Sequence, residues 1–172
     1  MRNKFVSNII RFFLLVILQV VVFNNMQVGT YVNVFIYVAF ILLLPFETPG
    51  GLLLLLALVM GLVNDIFGNT GGIHAAALVF MAFCRPGILK IVSPRDGYDL
   101  ASSPTIASMG LGWFVTYSLI LVFLHNFACF FLEAFRMSDF FFTLGKIILS
   151  TFVTVLLLIT AQLITGKQGG NK

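Results

Sequence analysis

Six apolar stretches, separated by short polar interruptions, run the length of the chain at residues 5–23, 31–44, 51–67, 73–84, 105–127 and 140–164. A helix needs about 20 apolar residues to cross a bilayer's hydrocarbon core. Four of the six reach or approach that length; 73–84 would continue a little beyond Cys84, and 31–44 is short and would borrow residues from the polar stretch before it. Pro45-Phe46-Glu47-Thr48-Pro49-Gly50 ends the second stretch, and Gly68-Asn69-Thr70-Gly71-Gly72 separates the third from the fourth. Proline and glycine at such density mark turns. The pattern predicts an all-α, polytopic membrane protein of about six transmembrane helices in a single domain, 1–172.

Composition agrees with that pattern. The chain is 60% hydrophobic and 9% charged, whereas a soluble domain carries roughly a quarter of its residues as charges. Arg2 and Lys4 before an apolar run resemble the start of a signal peptide, but Phe23-Asn24-Asn25-Met26-Gln27 offers no small-residue cleavage site. The first segment is therefore read as a retained helix.

The net charge of +4 matters less than where the cations fall. With the N-terminus inside, Arg2, Lys4, Arg11, Arg85, Lys90, Arg95, Lys167 and Lys172 lie on one side, and only Arg136 and Lys146 on the other. That asymmetry predicts N-in/C-in topology. No basic run alternates with aromatics, so no nucleic acid is expected as a partner. Cys84 and Cys129 lie far apart in sequence and are placed near opposite faces, which gives no disulfide framework.

The polar residues inside the spans are the candidates for function. Asp65, near the outer end of the third helix, shares a face with Gly61 and sits beside Asn64. It could pair with His125, Arg136 or Lys146, or cap the 69–72 turn; a proton relay would need a second acid at mid-depth. Gly72 with Ala76, and Ser108 with Gly112, are pairs of small residues four apart. Such pairs suit internal helix packing or a partner's transmembrane helix. Arg85-Pro86-Gly87 is expected to end the fourth helix, with the arginine on lipid phosphates or an acidic partner. Arg11 is expected to snorkel to the same surface. His74 and His125 are read as isolated from each other and from the cysteines, which leaves no metal-ligand pattern. Ser150, Thr151 and Thr154 are expected to bond back to their own helix carbonyls. Nothing predicts an enzyme or a cofactor.

Gly61-Leu62-Val63-Asn64-Asp65-Ile66-Phe67, then Gly72-Ile73-His74-Ala75, then Arg85-Pro86, resembles the signature of the rod shape-determining MreD family. The segment Phe-Leu-Glu-Ala-Phe-Arg-Met-Ser-Asp-Phe-Phe-Phe at 131–142 resembles the Bacteroidetes branch of that family. The resemblance implies a non-enzymatic subunit of the elongasome in the bacterial inner membrane. Such a subunit binds MreC and helps couple MreB filaments to peptidoglycan synthesis by RodA and its transpeptidase, and so to cell shape. It also implies that Gly61, Asn64, Asp65, Gly72, Ala75, Arg85 and Pro86 serve partner binding or structure, with membrane lipids around them. The family is similar in fold to the substrate-binding subunits of energy-coupling-factor vitamin transporters, and this supplies the alternative function. The Ala-x-x-x-Ala patch usual on the first helix of that class is missing from Phe5-Val6-Ser7-Asn8-Ile9-Ile10-Arg11.

Overall fold

A computed structural model describes residues 2–24, 32–95, 97–99, 102–134 and 140–167. Helix α1 (Arg2–Ile17) continues into a π-helical turn, Leu18–Phe23, and is followed by the short α2 (Val38–Leu42). Then come α3 (Gly50–Gly68), α4 (Ile73–Ile91), the one-turn α5 (Ile106–Met109), α6 (Leu111–Ala134) and α7 (Phe140–Lys167). No strand occurs among the described residues. Among the described residues, five helical stretches have the length and apolarity to cross a membrane: Val6–Phe23, Gly50–Gly68, Ile73–Ile91, Leu111–Glu133 and Phe141–Thr165.

The four long helices α3, α4, α6 and α7 pack in chain order, each on the next, and α1 lies against α2 and α3. Each carries its buried residues as one stripe. On α7 these are Thr143, Ile147, Ser150, Thr151, Thr154, Val155 and Leu158, the 3.6-residue spacing of a single helix face. The opposite faces carry large apolar side chains in the open, among them Ile66, Phe83, Phe141 and Phe152. Apolar surface of that extent is stable only against lipid or protein. The bundle is thus apolar on its outer faces, while its largely apolar interior also holds polar side chains such as Gln19, Asp65, Arg85 and His125.

Two expected boundaries move. Helix α4 runs past Arg85-Pro86 to Ile91 because the exposed Pro86 forfeits one backbone bond without halting the spiral. Helix α6 begins at Leu111 because Gly110, at φ +84°, breaks the chain after α5. Thr105 opens α5 with a reciprocal cap to Ser108, so Ser108 and Gly112 do not share a helix.

The larger correction concerns the second expected helix, 31–44. Its described part has no regular secondary structure up to Phe35, turns at Ile36 and Tyr37, and winds only over Val38–Leu42. Every residue from Val34 to Leu44 is buried. Non-helical backbone is tolerated at membrane depth where protein surrounds it and satisfies its polar groups. Side chains of the neighbouring helices do so here. Gln19 accepts from Ile36 N (2.9 Å) and donates to Val34 O (3.0 Å), much as a neighbouring strand would. The π-helical turn, closed by Asn24 N on Gln19 O at 2.8 Å, carries this glutamine. Ser150 Oγ accepts from Asn33 N at 3.0 Å, and Thr154 Oγ1 from Phe35 N at 3.5 Å. Ser150 and Thr154 therefore serve the threaded segment instead of their own helix.

At the far end of the segment three consecutive carbonyls are taken in turn. Tyr117 Oη donates to Leu42 O (3.0 Å), Arg11 to Leu43 O (3.3 Å) and Arg85 to Leu44 O. Arg11 thus turns inward. Because Gln19 lies at one end of the segment and Arg11 at the other, the segment runs antiparallel to α1, and α3 starts at the Arg11 end.

Candidate functional site

The residues of the family-like motif converge on the α3–α4 hairpin. Gly61 faces Ala75 so closely that a Cβ built on it would lie 2.3 Å from Ala75 Cα and 2.7 Å from Ala75 N. No side chain fits there, so the helices touch backbone to backbone. One turn on, the buried Asp65 reaches the start of α4. Its Oδ1 accepts from Thr70 Oγ1 (2.5 Å) and His74 N (3.0 Å), and its Oδ2 from Ala75 N (2.9 Å). These amides are the second and third of α4, which have no acceptor within the helix. A carboxylate on them satisfies both donors and opposes the positive end of the helix dipole. Asn69 at φ +52° and Gly72 at φ +98° reverse the chain between the helices. Asp65 is therefore a cap supplied by the preceding helix, and none of its three bonds comes from His125 or Lys146. Arg136, the remaining expected partner, lies outside the described residues.

Asn64, on the same buried stripe, donates to Met60 O at 2.8 Å. Its Oδ1 is enclosed with no partner among the described residues. Arg85 and Pro86 divide sharply: Pro86 is exposed, whereas Arg85 is 1% exposed. The guanidinium donates through Nε to Tyr117 Oη at 2.8 Å as well as to Leu44 O. Lipid phosphate cannot reach it, which overturns the expectation of lipid anchoring. Its charge is met by one carbonyl oxygen just beyond α2 and by a phenol. Aromatic rings close this end of the bundle. Trp113 stacks on Tyr117 (4.8 Å) and Phe46 on Tyr98 (4.4 Å), while Trp113 Nε1 donates to Val92 O at 2.8 Å.

Toward the Asp65 end lies a polar chain that the sequence did not disclose. Tyr37 Oη lies 2.9 Å from His74 Nδ1 and 2.9 Å from His125 Nε2. His125 Nδ1 meets Asn126 Oδ1 at 3.3 Å, and Asn126 Nδ2 donates to Thr151 Oγ1 at 2.9 Å. Cys129 Sγ is 3.4 Å from His74 Nδ1. The histidines are thus joined to each other and to a cysteine, contrary to the expectation of isolation. The network itself assigns the protons, because a phenol has one to give. The Asn126 amide donates to Thr151, so its oxygen must accept from His125 Nδ1–H. His125 Nε2 then accepts from Tyr37, and Tyr37 oxygen accepts from His74 Nδ1–H. One polarity satisfies every member.

Among the described residues no group of three or more His, Cys, Asp or Glu is placed to hold a metal ion. The chain links the threaded segment to α4, α6 and α7. Tyr37→Phe would strip His125 Nε2 of its donor in a site where the ring is wholly buried. The expected cost is about 1–3 kcal/mol. It would be read as a lower thermal midpoint for Cys129 thiol exposure in a Cys84→Ser background, and an unchanged midpoint would show that the chain carries no stability.

The two small-residue pairs are not used inside the bundle. Ala76 is exposed on α4, and Cβ atoms built on Gly72 and Gly112 would meet nothing within 4 Å. The close internal contact is instead Gly61 on Ala75.

No family model, curated protein or solved structure matches this chain.

Proposed function

We propose that this chain is a non-enzymatic, MreD-like subunit of a cell-elongation complex. It lies N-in/C-in in a bacterial inner membrane, binds MreC, and helps couple MreB filaments to peptidoglycan synthesis by RodA and its transpeptidase. The observation that carries the reading is the exposed Ala76 in the first turn of α4, with Gly72, the half-exposed cap of that turn, just ahead of it. Helices in lipid associate where small residues let backbones approach. This pair sits on the most firmly held part of the bundle, the hairpin closed by Gly61 and Asp65. The motif's conspicuous charges, Asp65 and Arg85, are occupied in holding the scaffold together. The function is then positioning: a rigid hairpin presents a backbone-accessible patch to a partner's transmembrane helix.

Ala76→Trp tests this directly. The side chain points away from the bundle, so the variant should accumulate and unfold like the parent. Recovery of MreC and cell-wall synthases by affinity purification in mild detergent should fall at least tenfold, about 1.4 kcal/mol of lost packing. Unchanged recovery removes Ala76 from the interface. Recovery of transporter ATPases with the parent chain would overturn the elongation reading in favour of a vitamin transporter's substrate-binding subunit.

A further inference from the structure

A second outward feature has a different character. Between α1 and α3, roofed by the end of the threaded segment, runs a groove of about 590 Å³, within the range of ~300–1,000 Å³ usual for small-molecule sites. Its apolar walls are bulky: Phe12, Phe13, Phe40, Leu52, Leu56 and Val59. One end is polar, with Asn8, Glu47 and Thr48. We propose that the groove holds one acyl chain of a phospholipid whose headgroup carries an ammonium beside its phosphate, of the phosphatidylethanolamine type.

Three observations choose this occupant over a partner helix. The first is length. The groove follows α3 from Pro49 to Val59, ten residues or ~15 Å at ~1.5 Å per residue. That is half of a hydrocarbon core ~30 Å thick, the depth of a single leaflet. A transmembrane partner would need the full thickness.

The second is the lining. Apart from Thr48 in the loop ahead of α3, it contains none of the small residues that let helix backbones approach. A flexible chain conforms to bulky walls where a rigid helix cannot.

The third is the charge at the polar end. Glu47 is exposed, and no cation among the described side chains pairs with it. It sits just ahead of the N-terminus of α3, where the first amides, from Gly50 onward, have no acceptor within the helix. Gly50 and Gly51 are both exposed, and no side chain stands over this first turn. A carboxylate beside free amides matches the ammonium and phosphate of a zwitterionic headgroup.

The test uses the full chain reconstituted in vesicles of equimolar phosphatidylethanolamine and phosphatidylglycerol, then released into mild detergent for native mass spectrometry. The expected result is one retained phospholipid per chain, with phosphatidylethanolamine favoured about threefold, the size of one exposed charge contact. Glu47→Lys should reverse the preference, and Leu52→Trp, filling the groove from its exposed side, should abolish retention of either lipid. Equal retention of the two lipids by the parent chain, or a preference that survives Glu47→Lys, overturns the assignment. A photo-crosslinker at Leu56 should label lipid in native membranes; capture of a polypeptide there overturns the assignment equally. None of these readouts depends on MreC, so failure here leaves the scaffold reading standing.

Discussion

Gly61→Ala should prevent the α3–α4 hairpin from closing, although it adds only one methyl group. The new carbon would sit 2.3 Å from a backbone carbon of Ala75, and backbone cannot rotate aside as a side chain can. The helices would have to separate by more than an ångström, and that separation propagates to the next turn. There Asp65 holds His74 N at 3.0 Å and Ala75 N at 2.9 Å, so both bonds would lengthen past usefulness. Overpacking alone costs about 1–3 kcal/mol, and each weakened bond to a carboxylate adds to it. The expected outcome is a chain that inserts but is degraded, with its level in membranes falling several-fold and its thermal midpoint in detergent falling with it. Gly87→Ala is the control, since a Cβ at Gly87 meets nothing within 4 Å. Equal midpoints for the two variants would show that the Gly61–Ala75 approach is not needed.

Arg85→Ala is expected to match that loss by a different route. The guanidinium fills space at the core and bonds both Leu44 O and Tyr117 Oη. Removing it leaves a buried carbonyl without a donor and opens a cavity where a large side chain stood. Together these cost about 3–5 kcal/mol. Arg85→Lys should recover little, because a single ammonium cannot reproduce the guanidinium's fixed fork of donors. Arg95→Ala, at an exposed position, should leave the midpoint unchanged. If Arg85→Lys unfolds with the parent chain, charge rather than the fork is what the site requires.

The long helices were readable because apolar runs of about 20 residues have few other uses. The threaded segment was not. Hydropathy registers burial, and Val34 to Leu44 are all buried, so an irregular path and a helical one produce the same signal. Its shortness and its run of β-branched and aromatic residues, Val32-Asn33-Val34-Phe35-Ile36-Tyr37-Val38, were the available hints. Ser150 and Thr154, four apart on α7, were visible as a polar stripe, but what they would bond depended on the shape of a segment over a hundred residues earlier. The histidine chain was hidden for a similar reason. Tyr37, His74 and His125 stand on three separate elements, and only the spacing of His125 and Cys129 along one face of α6 was local. Asp65 was the opposite case. A cap on the turn after α3 was among the expected roles, and it extends to the amides that begin α4.

The threaded segment also fixes an order of assembly. A transmembrane helix carries its backbone bonds within itself and can enter lipid as soon as it is made. The threaded segment cannot, because the amides of Asn33, Phe35 and Ile36 are accepted by Ser150, Thr154 and Gln19, and two of those acceptors lie on α7, made over a hundred residues later. The threaded segment thus reaches its final shape only after α7 has arrived. Until then its polar backbone stays at the water interface or borrows temporary partners, and a nascent chain truncated before α7 would keep it there.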